Sequence, residues 1–97
     1  MKYLIFVVQE TVSSLGAQYG AEGIYLFGSF ARGDADENSD IDLRIIRGTI
    51  RGWALGGLLE DLEDSLNKKV DLLTTGSLSP DFLADIKNEE VLLYEQK

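Results

Sequence analysis

The chain has 97 residues, 17 acidic and 9 basic, a net charge of −8, and neither Cys nor His. This length is expected to form one domain, 1–97, with a modest core. It has no disulfides or thiolate metal sites and no His for Ser-His-Asp or Cys-His schemes, which leaves carboxylate and metal chemistry. Its acidity argues against general nucleic-acid binding and a template-reading role, and suits a basic protein partner or simple solubility.

The opening apolar run from Met1 to Val8 is too short for a signal peptide, and Gln9-Glu10 follow it without a small-residue cleavage site. Nothing approaches membrane-spanning length, so a cytoplasmic location is expected. From about Leu4 to Tyr19 the spacing predicts a helix, with Val8, Val12, Leu15 and Tyr19 in phase. Gly20-Ala21-Glu22-Gly23 breaks it. Ile24-Tyr25-Leu26-Phe27 then reads as a short strand ended by Gly28. Ser29-Phe30-Ala31-Arg32 can start a helix, with Ser29 a favoured N-cap and Gly28 permitting a tight turn. A helix start presents unpaired N–H groups and a positive dipole end, which suits a phosphate; taken alone, Gly-Ser is equally an ordinary strand-to-helix turn.

Ten residues after Ser29 come Asp40-Ile41-Asp42. Ile41 to Ile46 reads as a strand with Ile41, Leu43 and Ile45 on the core face, so Asp40, Asp42 and Arg44 share the other face. Two carboxylates at i and i+2 lie about 7 Å apart along a strand, and they repel unless a cation such as Mg²⁺ or Mn²⁺ lies between them. The loop Arg47-Gly48-Thr49-Ile50-Arg51-Gly52 is expected near this site, and Trp53 is expected as a core or helix-entry anchor.

A helix follows with Leu55, Leu58, Leu59, Leu62 and Leu66 on one face. Its Glu60-Asp61 and Glu63-Asp64 form either a solvated face or a docking stripe. Lys68 to Thr74 reads as a strand with Val70 and Leu72 to the core and Asp71 opposite. Beside the Asp40/Asp42 strand, Asp71 would complete three carboxylates able to hold two metals about 4 Å apart; alternatively it pairs with Lys68 or Lys69. Ser79-Pro80-Asp81 opens a helix to about Lys87, and Val91-Leu92-Leu93-Tyr94 is an edge strand.

Gly28-Ser29-Phe30-Ala31-Arg32-Gly33 with Ser39-Asp40-Ile41-Asp42-Leu43, then Lys69-Val70-Asp71-Leu72, resembles the minimal nucleotidyltransferase family of the DNA polymerase β superfamily. The resemblance covers nearly the whole chain. It implies an α/β fold with a mixed sheet, two Mg²⁺ ions, and transfer of a nucleoside monophosphate from a triphosphate such as ATP. By the same resemblance, many stand-alone members are antitoxins beside a HEPN-domain ribonuclease, inactivating it by adding AMP to a tyrosine hydroxyl. Carried over by position, Gly28 and Ser29 bind the triphosphate, Asp40 and Asp42 hold metal, and Asp71 completes the triad.

Arg32 would touch phosphate or neutralise Asp34 or Asp36. Arg44 and Arg47 depart from an aliphatic strand pattern; Arg44 would contact phosphate or the acceptor, weaken metal binding, or simply balance charge. So small a chain leaves little room for an acceptor site, which favours a protein partner. The other readings are a small-molecule nucleotidyltransferase of antibiotic-modifying type and a catalytically silent antitoxin that neutralises its partner by contact.

Overall fold

Four short strands and two long helices account for most of the chain. The computed structural model describes residues 5–96; Leu4, where the sequence reading starts the first helix, lies outside them, as do residues 1–3 and Lys97. The elements run α1 (Ile5–Tyr19), β1 (Gly23–Phe27), α2 (Ser29–Arg32), β2 (Ile41–Ile46), α3 (Gly52–Leu66) and β3 (Val70–Thr74). A 3₁₀ turn (Thr75–Ser77), α4 (Pro80–Lys87) and β4 (Val91–Glu95) complete them.

The sheet order is β3-β2-β1-β4. β1 pairs antiparallel with β2 and with β4, whereas β2 and β3 are parallel. A parallel pair needs a long crossover, and α3 supplies it. This is the mixed-sheet α/β architecture that the resemblance implies.

Period-two alternation sends Ile41, Leu43 and Ile45 of β2 and Ile24 and Leu26 of β1 to one face, where all are fully buried. Val8 and Val12 of α1 and Leu58, Leu62 and Leu66 of α3 close over them. The four-residue spacing on both helices puts each set in one stripe. α1 comes closest at Gly16, where a Cβ would stand 3.0 Å from Ile24 Cδ1 and from Tyr94 Cδ2. A larger residue there would push the helix off the sheet.

Three polar ties fix the helix layer. Tyr19 Oη donates to Asp61 Oδ2 at 2.6 Å, joining α1 to α3. Ser13 Oγ donates to the Leu93 carbonyl at 2.8 Å, joining α1 to β4. Glu63 Oε2 accepts from the Val70 N–H at 2.9 Å, where β3 begins. Asp61 and Glu63 of the acidic stripe thus serve the fold, in addition to any solvated or docking role.

The opposite face carries Tyr25, Phe27, Asp42, Arg44 and Asp71, and α4 packs there through Phe82, edge-on to Phe27 at 5.9 Å. α4 begins as its sequence indicates: Ser79 Oγ accepts from the Phe82 N–H at 3.1 Å, and Pro80 is the first helical residue.

Trp53 corrects an expectation: it is 83% exposed, neither core nor anchor. α3 starts at Gly52, and Trp53 is nine residues before Leu62, so at about 100° per residue it points away from the leucine stripe.

Leu62→Ala is expected to cost about 2–5 kcal/mol in urea unfolding, the range for truncating a fully buried Leu. A loss below roughly 1 kcal/mol would show that α3 does not carry the core.

Candidate active site

Strand register builds the site. Asp42 lies opposite Phe27 on one neighbouring strand and beside Asp71 on the other. Because Phe27 ends β1, the next residue, Gly28, turns directly against the Asp42 carboxylate. Gly28 has φ +77°, and a Cβ placed on it would run into Asp42 Oδ2. Only glycine satisfies both the backbone conformation and the close approach.

Gly28 is the cap residue of α2, and Ser29 is its first helical residue, with no side-chain cap. The expectation that Ser29 caps the helix is therefore corrected. The positive φ of Gly28 makes the turn, and Ser29 opens the helix.

Asp40 directly precedes β2 and, like Asp42 and Asp71, is half-buried. Burial, then the charge of Asp71 and a hydrogen bond with it, and then Asp40, push the Asp42 carboxyl up to about 6; Arg32 opposes this. Among the described residues, no three carboxylates already stand as a ligand group around one point. Asp42 and Asp71 stand side by side in the parallel register of β2 and β3, close enough for the charge of Asp71 to bear on Asp42. The donor set still fits a hard divalent cation, all oxygen and mutually repelling, and an ion would relieve the strain that raises Asp42.

The arginines are placed differently from what their sequence positions suggest. Arg44 is buried, with 8% exposure. Its Nε and Nη2 donate to the two Glu90 oxygens at 3.0 and 2.8 Å, Nη1 donates to Thr75 Oγ1 at 2.9 Å, and its guanidinium lies 4.1 Å over the Tyr25 ring. All three guanidinium nitrogens donate, and one face of the group is stacked. Of the roles expected for Arg44, phosphate or acceptor contact and charge balance, these contacts serve charge balance, and its partner is Glu90.

Arg32 is exposed and pairs with Asp34 at 3.3 Å and with Glu89 at 3.4 Å. The Arg47–Gly52 loop leaves the far end of β2. Arg47 lies five residue steps along the strand from Asp42, about 16 Å, so the loop is not beside the carboxylates as expected. A concavity of about 480 Å³ is lined by Phe30, Arg32, Asp36 and Lys68 among others, and includes none of the three aspartates. The register marks the site better than the cavity does.

Sequence reasoning missed Glu89 and Glu90. Glu89 Oε2 accepts from the Gly28 N–H at 2.7 Å. The signal was the pair of acids just before β4, but it becomes legible only with strand order in hand. Antiparallel pairing of Leu26 with Val91 at the end of β4 brings the turn that carries Glu89 and Glu90 beside Gly28.

A glycine turn abutting an aspartate strand, with a third aspartate on the parallel neighbour, defines a small α/β nucleotidyltransferase. The family described as "Polymerase beta, Nucleotidyltransferase" matches residues 10–97, and the chain belongs to it. A candidate protein adenylyltransferase of Methanocaldococcus jannaschii is 37% identical over 73 residues, 74% of this chain and 85% of that protein.

Among solved structures, a candidate minimal nucleotidyltransferase superposes with a TM-score of 0.80 at 32% identity, over 90% of each chain. A toxin–antitoxin structure with AMP-PNP gives 0.77 at 26%, over 92% of this chain and 74% of that one. A tri-AMPylated Shewanella oneidensis HEPN toxin in complex with its MNT antitoxin gives 0.73 at 22%, over 96% and 74%, which is a likeness of fold.

Two outcomes follow from the charges. With its carboxyl raised above the ordinary 3.8 to about 6, folded Asp42 holds its proton more tightly than the unfolded chain does. Its stabilising contribution is therefore complete below the ordinary value and lost as pH rises through about 6. In metal-free buffer, Asp42→Asn should melt higher than the native chain at pH 7.5, with the gap closing near pH 4; equal melting at pH 7.5 would contradict the burial argument. Removing one partner of the buried pair, as in Arg44→Met, should cost about 3 kcal/mol, and Arg44→Met with Glu90→Leu should recover most of it. Additive losses in that cycle would deny the pairing.

Proposed function

We propose that this chain transfers AMP from ATP to a hydroxyl, of tyrosine type, on a HEPN-domain ribonuclease toxin, and so acts as its antitoxin. The observation that carries the reading is Gly28 pressed against Asp42 with Asp71 alongside. It sets a phosphate-sized backbone niche against a carboxylate group on the neighbouring strands. The relatives named as candidate protein adenylyltransferases and the toxin–antitoxin structure with AMP-PNP support the same acceptor class.

In this reading the Gly28 and Ser29 N–H groups hold the β- and γ-phosphates, and Asp40, Asp42 and Asp71 hold Mg²⁺. When bound, Mg²⁺ would neutralise the charge that develops on the triphosphate. Asp71 takes the proton of the attacking hydroxyl. The hydroxyl oxygen bonds to the α-phosphorus, and the bond to the β-phosphate oxygen breaks. Pyrophosphate leaves with that electron pair. Arg32, at the rim, offsets phosphate charge.

Arg44 bears on the silent-antitoxin alternative. A free guanidinium on the carboxylate face would compete with a cation, but Glu90 neutralises it and Thr75 holds it in place. The metal position therefore keeps its negative field. The net charge of −8 suits a basic toxin surface, and the need for ATP suits the cytoplasm. Among the described residues no helix is long and apolar enough to cross a membrane.

Mixing the chain with its partner toxin, ATP and Mg²⁺ should add one or more AMP masses to the toxin, read by intact mass spectrometry. Asp42→Asn should slow labelling by roughly a hundredfold or more while keeping the native circular dichroism. Inhibition of the ribonuclease without any adduct would refute enzymatic action and establish neutralisation by contact.

A further inference from the structure

The turn between α4 and β4 carries two adjacent carboxylates with different duties. Glu90 is fastened to Arg44 through both its oxygens. Glu89 reaches the other way, to the mouth of the nucleotide site. Its Oε2 accepts from the Gly28 N–H at 2.7 Å, and both its oxygens lie 3.4 Å from Arg32 Nη1.

These contacts are the ones a phosphate oxygen would make: a backbone N–H at the β1–α2 turn and one guanidinium beside it. An N–H carries one proton, and at 2.7 Å its direction is taken. A phosphate and a carboxylate cannot both accept from it in line. Nor would two anions share the narrow space beside Asp42, against which Gly28 is already packed.

We infer that Glu89 is an internal competitor for the triphosphate: its carboxylate fills the place of a β- or γ-phosphate oxygen in the free chain and is displaced by nucleotide. This rests on the nucleotidyltransferase reading above.

Displacement requires little movement. Glu90 holds the turn to β2, and the Glu90 N–H and the Glu89 N–H both bond to the Ile86 carbonyl at 3.0 Å. The backbone therefore stays in place while the Glu89 side chain rotates out and Arg32 transfers to phosphate. Glu89 lowers the resting affinity for any ligand carrying β- and γ-phosphates. After the reaction it competes for the same N–H and favours release of pyrophosphate. AMP, which lacks β- and γ-phosphates, is indifferent to it.

The test is calorimetric titration of the full chain with AMP-PNP, inorganic tripolyphosphate and AMP, each with Mg²⁺. The native chain is compared with Glu89→Gln, a neutral isostere, and with Glu89→Ala, which removes the acceptor altogether. Both variants should bind AMP-PNP and tripolyphosphate about tenfold more tightly, about one decade in Kd, with AMP unchanged. Native binding of AMP-PNP with unchanged or weaker affinity in both folded variants would overturn the inference and leave the nucleotidyltransferase reading standing. Equal tightening for AMP would also overturn it, because the effect would then be one of general charge. No binding of AMP-PNP by any of the three chains would remove the nucleotide reading and this inference with it.

Discussion

The contact on which the rest depends is between a glycine with no side chain and the aspartate carboxylate packed against it. β1 and β2 pair so that Phe27 faces Asp42, and the chain must then turn at Gly28 within touching distance of the Asp42 carboxylate. A one-residue slip between these strands would send Asp42 into the core and Leu43 out. The buried Ile41, Leu43 and Ile45 forbid that slip. The hydrophobic face thus sets the register, and the register sets the site.

The site is also electrostatically costly for the free fold. Burial and two neighbouring carboxylates raise Asp42, and the cost is tolerated because the core face of the same strand is fully buried. Arg44 shows how the rest of this face is kept neutral. It balances Glu90 across the sheet instead of the aspartates, and it ties β2 to the turn before β4. A buried pair of this kind adds little net stability but penalises arrangements that separate the partners. Here it fixes the turn that presents Glu89 to the Gly28 N–H.

Much of this was legible in the sequence. The bounds of β2 follow from Ile41, Leu43 and Ile45 alternating with polar residues. The start of α4 follows from Ser79-Pro80, and the place of Asp71 on the polar face of its strand from period-two phasing, while its closeness to Asp42 needs the parallel pairing of β2 with β3. These features depend on local rules or on one long-range pairing. What stayed hidden depends on strand order. Glu89 and Glu90 enter the site because β4 lies against β1, which no local pattern specifies. Trp53 was misjudged because α3 begins a turn earlier than its leucine stripe. The Arg47–Gly52 loop was misplaced because a strand has two ends and the aspartates occupy the first. The cap at Gly28 in place of Ser29 turns on a backbone angle that composition alone does not give.

The central claim is that the carboxylates beside Gly28 form the cation site, and paramagnetic broadening by Mn²⁺ tests it most directly. In amide spectra of the labelled chain, substoichiometric Mn²⁺ should first erase Gly28, Asp40, Asp42 and Asp71 and spare the Glu60–Asp64 stretch of α3. Broadening that begins on the α3 acids, with the Gly28 and Asp42 amides intact, would contradict the account.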